Sequence, residues 1–286
     1  MNFKIGVIAD SFKLPIRDAL KKAKQIGADG VQLYAVTGEV SPDVLNKNSR
    51  AELKQFIASL GLEISALCGD LGGHGFSNEN ENREKNKIEM SKKIVDLAVD
   101  LGTRIVTTHI GVVPQDKSKP AYKTMRDACR ELGKYAHKKG TVFAIETGPE
   151  TARELYDFLI EVNERGIGVN LDPANLVMVT GDDPVRAVDI LKPYIVHTHA
   201  KDGIKLAPSN AAEVYNAFAE GGIEGFDFGK LFSEVPLGQG QVKWAAYLDA
   251  LKKIGYSGYL TIERETGADP GADIQKAVDF LRELNI

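Results

Sequence analysis

Residues 141–175 read TVFAIETGPETARELYDFLIEVNERGIGVNLDPAN and contain the repeating unit that decides the fold. A short apolar run at Thr141–Glu146 is followed by a segment of helical period at Thr151–Arg165 and by a second apolar run at Ile167–Asp172. Short β-branched runs that alternate with longer helical segments are typical of parallel strands joined by crossover helices. The stretch therefore predicts one strand–helix–strand unit of an α/β protein.

The same alternation continues through the whole chain of 286 residues. Eight strand–helix pairs in a chain of this length predict a closed (β/α)8 TIM barrel that occupies residues 1–286 as a single domain. An open doubly wound sheet is the alternative, but no Gly-x-Gly-x-x-Gly follows the first strand. Outside the quoted stretch, the predicted strands are Lys4–Ala9, Gly30–Tyr34, Leu62–Leu67, Arg104–His109, Tyr194–His199 and Gly258–Glu263, and the predicted helices are Ile16–Ile26, Arg50–Leu60, Asn82–Leu101, Tyr122–Lys139, Pro184–Leu191, Val242–Ile254 and Ala272–Leu284.

Charge and composition exclude several classes of partner. The net charge is −4 and no basic block occurs, so we expect no nucleic-acid partner. The two cysteines, Cys68 and Cys129, lie far apart and predict neither a disulfide framework nor a cysteine metal site. No apolar run approaches the length of a membrane span and no signal core precedes the first strand, so we expect a cytoplasmic protein without membrane contact.

One stretch, Gly203–Gly240, breaks the alternation with an irregular, glycine-rich sequence. It follows the seventh strand, at the end of the barrel where catalytic loops lie. Long loops at such places are more often functional loops or lids than accidents, so we expect one here. Phe226 and Trp244, in or beside it, are candidates for the wall of the pocket, although core packing is the default interpretation for both.

The last residues of four successive late strands are all of metal-ligand type. Strand parity points the first of them inward: Phe143 and Ile145 occupy the face toward the helices, so Glu146 faces the barrel mouth. Three converging carboxylates would repel each other strongly unless a cation neutralised them. Oxygen-rich ligation with one imidazole predicts one divalent metal ion, and Mn, Mg, Co and Zn all suit it. The four predicted ligands are Glu146, Asp172, His199 and Glu263.

Other polar residues lie close to these strand ends. His197 precedes His199 by two positions on the same face, so it is either a partner that orients the ligand or a satisfied core histidine. His109 ends the fourth strand and could contact the substrate. Lys201 and Arg264 neighbour the predicted ligands and could bind a phosphate or a carboxylate of the substrate.

These residues resemble the xylose isomerase-like superfamily of sugar phosphate isomerases and epimerases, which includes D-tagatose 3-epimerase-like enzymes. The resemblance implies that the four predicted ligands bind the metal and that Glu146 and Glu263 flank the reacting carbon as acid and base. The sequence departs from the pattern at Gln32, Asn175 and Lys205, and we expect the last two to bind substrate. Besides Glu146, the motifs that carry the resemblance are Leu171-Asp-Pro-Ala-Asn175, Val196-His-Thr-His-Ala-Lys-Asp202, Gly238-Gln-Gly-Gln-Val242 and Thr261-Ile-Glu-Arg264.

The favoured function is a divalent-metal-dependent isomerase or epimerase of a sugar or sugar phosphate, acting by proton transfer next to a carbonyl. An inosose-type dehydratase on the same barrel is the nearest alternative. A DNA-repair AP endonuclease is disfavoured because it needs three zinc ions and more histidines. A barrel that binds sugar without turnover is disfavoured because ligands occur at all four strands. The expected partner is a small-molecule sugar or sugar phosphate, and the sequence leaves a homo-oligomer open.

Overall fold

Eight parallel strands close into a barrel in the computed structural model, which describes residues 3–77, 81–221 and 226–284. In chain order the strands are β1 (Lys4–Ile8), β2 (Gly30–Tyr34), β3 (Glu63–Cys68), β4 (Ile105–Thr108), β5 (Val142–Glu146), β6 (Ile167–Leu171), β7 (Ile195–Ala200), β8 (Asp202–Lys205), β9 (Phe232–Val235) and β10 (Tyr259–Ile262). The barrel order is β1-β10-β7-β6-β5-β4-β3-β2, while β8 and β9 pair separately. The predicted (β/α)8 barrel is confirmed.

The helices begin and end where local chemistry favours it. Thr151 and Glu154 form a capping box, in which each side chain accepts a hydrogen bond from the backbone N–H of the other residue. Pro184 and Pro270 occupy first turns, where a missing N–H removes no hydrogen bond. Within the described residues the helices are α1 (Ile16–Gln25), α2 (Lys47–Ser59), α3 (Glu81–Leu101), α4 (Pro120–Lys139), α5 (Ala152–Val162), α6 (Pro173–Asn175), α7 (Pro184–Leu191), α8 (Ala211–Ala219), α9 (Trp244–Lys253) and α10 (Pro270–Glu283).

The main hydrophobic core joins the barrel strands to the surrounding helices. Ile5, Phe143 and Val169 from the strands share one buried cluster with Leu20 and Leu132 from the helices. All five residues of β6 are buried, as expected for a parallel strand that is covered on both faces. Among the described residues, no helix is both long enough and apolar enough to cross a bilayer.

The prediction that Gly203–Gly240 is an irregular loop is wrong, whereas its expected place after the seventh barrel strand, β7, is confirmed. This stretch holds the antiparallel pair β8–β9 and the helix α8, and we call it the insertion; its residues 222–225 lie outside the described part of the chain. The buried Asp202 carboxylate accepts hydrogen bonds from the N–H groups of Gly238 (3.0 Å) and Gly240 (3.1 Å) and from the Trp244 indole (2.9 Å). A Cβ on Gly240 would lie 2.0 Å from Asp202 Oδ1. Contacts that local periodicity does not reveal therefore organise the insertion.

Candidate active site and metal centre

The barrel brings the four predicted ligands together at one end. Glu146 is the last residue of β5, His199 lies in β7, and Asp172 and Glu263 directly follow β6 and β10. One ligand atom from each residue lies within 4.8 Å of the others. The carboxyl ends of parallel strands meet at the same face of a barrel, so four separate segments of the chain converge here.

The histidine faces three carboxylates. His199 Nδ1 lies 3.4 Å from Glu146 Oε1, 3.5 Å from Asp172 Oδ2 and 3.3 Å from Glu263 Oε2. Asp172 is fully buried, and its Oδ1 accepts a hydrogen bond from the Asn175 N–H at 2.9 Å. Its Oδ2 is buried without a hydrogen-bond partner. A carboxylate oxygen without a hydrogen-bond donor lies beside two further carboxylates and a single imidazole, so this donor set fits a divalent cation.

The electrostatics show how tightly these groups interact. Burial opposes ionisation of Glu263, but Lys201 and His199 hold its pKa well below the usual range. Burial likewise opposes ionisation of Glu146, whose pKa is nonetheless lowered by His199 and His109. Burial raises the pKa of Asp172. Burial also disfavours a charged His199, yet Glu146 and Glu263 raise its pKa well above the ordinary value. The cluster attracts positive charge.

A polar layer lies beneath the centre. His197 Nε2 lies 3.0 Å from both Gln32 Oε1 and Thr261 Oγ1, and Gln32 Oε1 is also 3.4 Å from His199 Nε2. Burial and then the neighbouring His199 place the pKa of His197 well below the ordinary value. His197 therefore contacts no carboxylate of the cluster, and Gln32 connects it to His199, a contact that the spacing of the histidines did not reveal.

A cavity of about 660 Å³ opens outward from the centre. Its wall includes Glu146 and Glu263 and three residues predicted to bind substrate. His109 Nε2 lies 3.6 Å from Glu146 Oε1, and the Asn175 side-chain amide donates to the same oxygen at 3.3 Å. Lys201 Nζ donates to Glu263 Oε2 at 3.0 Å. These side chains surround the two glutamates from different sides.

Lys205 and Arg264, also predicted to bind substrate, are not among the residues that line this cavity. The Lys205 Nζ donates to the Val179 carbonyl oxygen at 2.6 Å. The Arg264 guanidinium pairs with Glu234 at 2.8 Å and with Asp273 at 3.0 Å. Both cations are thus engaged by groups of the protein itself.

The sequence pattern did not predict several of the residues that line the cavity. Tyr215, Phe218 and Phe228 line the cavity from the insertion, and the Tyr215 ring packs edge-on against His109 at 5.6 Å. Phe226, a candidate for the wall, packs against Phe228 at 5.0 Å but does not line the cavity, and Trp244 packs in the main core. The hydrophobic spacing of α8 was the one signal that could have revealed the first two rings.

Known proteins resemble this chain along nearly its whole length. The L-ribulose-5-phosphate 3-epimerase of Escherichia coli K12 is 22% identical over 277 residues, which cover 93% of this chain and 88% of that protein. A xylose isomerase domain protein from Planctomyces limnophilus is 26% identical, with a TM-score of 0.80 over 99% of this chain and 97% of that one. A D-psicose 3-epimerase from Clostridium cellulolyticum H10 is 18% identical, with a TM-score of 0.73 over 99% of each chain.

One family model also matches most of this chain. The model described as xylose isomerase-like TIM barrel matches residues 20–284, which include all four residues of the candidate metal site. The matched segment extends from α1 to the end of α10. This chain belongs to the xylose isomerase-like TIM barrel family.

Proposed function

We propose that this protein is a divalent-metal-dependent epimerase of a keto-sugar, and thus an isomerase-class enzyme. One observation carries the proposal: Glu146 and Glu263 both line the cavity, and one oxygen of each lies within 3.4 Å of the same His199 nitrogen. They come from β5 and β10, which are separated in the barrel by β6 and β7. Two carboxylates on different sides of one small space suit proton removal from one face of a carbon and proton return to the other.

The cluster Glu146, Asp172, His199 and Glu263 would hold the metal. When bound, a divalent ion polarises a carbonyl and its neighbouring hydroxyl and so acidifies the C–H between them. The repulsion among the three carboxylates and the orphaned Oδ2 of Asp172 support a cation at this place. The same donor set accepts Mn, Mg, Co or Zn, and we propose one ion per chain.

The protein's own groups prepare the two glutamates. Lys201 donates to Glu263 Oε2, which orients this carboxylate and keeps it ionised as a base. The Asn175 amide donates to Glu146 Oε1, and the Asn170 amide donates to its Oε2 at 3.0 Å. Both carboxylates are therefore held in place before substrate arrives, which reduces the reorganisation needed for proton transfer. Because epimerisation runs in both directions, each glutamate acts as base in one direction and as acid in the other.

The test is turnover in D2O with a panel of keto-hexoses, keto-pentoses and their phosphates, in the presence of Mn²⁺. A carboxylate exchanges its proton with water, so we expect deuterium on the epimerised carbon. Glu146→Gln and Glu263→Gln keep a metal-binding oxygen but remove the base, and turnover should fall by at least about 10²-fold, the lower end of acid–base contributions.

Glu89→Gln is the matched control, because this glutamate is 66% exposed on α3 and is not among the residues that line the cavity. It should retain wild-type turnover. An unlabelled epimer would reject proton exchange between these carboxylates and water. Near-normal turnover in both cavity variants would reject the roles of the glutamates themselves.

A further inference from the structure

The outer half of the cavity is lined by aromatic rings, whereas the candidate metal centre consists of carboxylates and a histidine. Four rings of the insertion line this outer half, namely Tyr215, Phe218, Phe228 and Phe232, and we call them the aromatic wall. Phe218 stacks on Phe228 at a centroid distance of 4.2 Å and an angle of 10°. Phe218 nevertheless remains 51% exposed, so one part of this stacked pair is open to solvent. The wall thus offers apolar surface to whatever enters the cavity.

The aromatic wall is continuous with the reacting end of the site. The Tyr215 ring contacts His109 at 5.6 Å, and His109 Nε2 is 3.6 Å from Glu146. Tyr215 in turn contacts Phe218 at 6.0 Å. A row of rings therefore leads from the catalytic carboxylate to the stacked pair. The cavity of about 660 Å³ lies within the range of roughly 300–1,000 Å³ that suits drug-sized ligands, and is larger than one sugar ring needs.

Every basic side chain among the described residues that line the cavity already faces a carboxylate, including His109, whose Nε2 lies 3.6 Å from Glu146 Oε1. Among its described lining residues, Lys201 is the one lysine or arginine, and its Nζ donates to both Glu263 and Glu265. His74 is already paired with Glu220 at 2.7 Å. Asp70, a further carboxylate, also lines the cavity. A phosphate dianion would meet acidic groups at every one of these places.

A carboxylate of the protein occupies the position at which such barrels often bind phosphate. Barrels of this kind often bind phosphate at the loops after the seventh and eighth strands and at a helix N-terminus. Here that helix is α10, and the Asp269 carboxylate caps it by accepting the Ala272 N–H at 2.9 Å. The side chain that satisfies these amides carries the same sign of charge as a phosphate, so it disfavours a second anion there.

We propose that the substrate is an unphosphorylated keto-sugar whose far end carries an uncharged ring, and that this ring packs against the aromatic wall. The inference rests on the proposed function for the sugar end at the metal centre. A flat apolar substituent gains contact with ring faces, whereas a phosphate meets no lysine, arginine or histidine among the described lining residues that lacks a carboxylate partner. The far-end substituent is therefore an aryl or glycosyl group rather than a phosphate.

The test uses glycosides that cannot react, so binding is measured independently of turnover. Isothermal titration calorimetry on the Mn²⁺-loaded full-length protein compares phenyl β-D-glucopyranoside, methyl β-D-glucopyranoside and methyl β-D-glucopyranoside 6-phosphate. We expect the phenyl glycoside to bind about tenfold more tightly than the methyl glycoside, from ring stacking and apolar burial together. The phosphorylated glycoside should bind more weakly than the methyl glycoside.

Phe218→Ala should remove most of the preference for the phenyl over the methyl glycoside. Phe218→Leu keeps apolar bulk for α8 without a ring face and should give an intermediate preference, which covers the case that alanine disturbs folding. Leu206→Ala is the control, because Leu206 is 54% exposed in the same insertion but does not line the cavity. It should retain the full preference.

Three results would overturn the inference: no measurable binding of the phenyl glycoside, a phosphorylated glycoside that binds best, or equal preferences in Phe218→Leu and wild type. Failure of the proposed function has a different signature. If no keto-sugar exchanges a proton in D2O but the phenyl preference is present and depends on Phe218, the ring subsite stands and the epimerase proposal fails.

Discussion

Asp172→Asn is the change that tests the metal centre most directly. In the wild type, Asp172 Oδ1 caps the following helical turn by accepting the Asn175 N–H, while Oδ2 is buried without a donor and lies 3.5 Å from His199 Nδ1. Asparagine keeps the capping oxygen and replaces the orphaned oxygen by an amide group that donates. That amide would face the cluster to which Glu146 and Glu263 contribute oxygens.

The substitution should therefore have opposite effects with and without metal. A buried polar group without a partner costs about 1–3 kcal/mol, so the metal-free variant should be more stable than the metal-free wild type by about that amount. Bound metal stabilises the wild type by about 4.1 kcal/mol when its concentration is a thousandfold above Kd. The variant lacks an anionic ligand and should lose most of this gain, so added metal reverses the order of stabilities.

Differential scanning calorimetry of EDTA-dialysed protein, with and without Mn²⁺, measures both effects, and titration calorimetry gives the Kd. Asp189→Asn is the matched control, because the Asp189 side chain is 79% exposed and pairs with Lys192 on the surface. It should gain stability from Mn²⁺ as the wild type does. If Asp172→Asn gains as much from Mn²⁺ as the wild type, Asp172 is not a ligand. If it is the less stable protein without metal, the orphaned oxygen is not a source of strain.

Two further predictions concern the surroundings of the site. Burial raises the pKa of Glu150 to about 7, above its ordinary value of 4.5, so unfolding releases a proton between these pH values and wild-type stability falls as pH rises through them. Glu150→Gln can still accept the Val113 N–H. Urea titrations should therefore show that its free energy of unfolding equals that of the wild type near pH 4.5 and exceeds it by about 3 kcal/mol above pH 7. A difference in the free energy of unfolding that does not depend on pH would contradict this. Asp202→Asn places an amide among backbone N–H donors and the Trp244 indole, and should lower stability by about 2–4 kcal/mol and expose the insertion to proteolysis. Wild-type resistance to proteolysis would show that these bonds do not hold the insertion.

The sequence by itself determined the (β/α)8 barrel and the strand ends that carry the candidate metal ligands. Each strand–helix unit can be predicted from its own residues, because side-chain periodicity and helix-end chemistry act over a few residues. Parity is equally local, so the inward direction of Glu146 follows from its apolar neighbours Phe143 and Ile145. Once the barrel closes, Asp172 and Glu263 lie on the same face as Glu146, since the carboxyl ends of all its strands share that face.

The tertiary structure alone decided which cations reach the cavity and what forms its outer wall. Lys201 and Arg264 each stand next to a predicted ligand, yet Lys201 lines the cavity and Arg264 pairs with Glu234 of the insertion. The direction of a long side chain depends on partners far away in the chain, which spacing does not encode. Likewise, Phe218 and Phe228 come from a segment whose shape depends on the Asp202 carboxylate, so their stacking is decided by packing and not by local pattern.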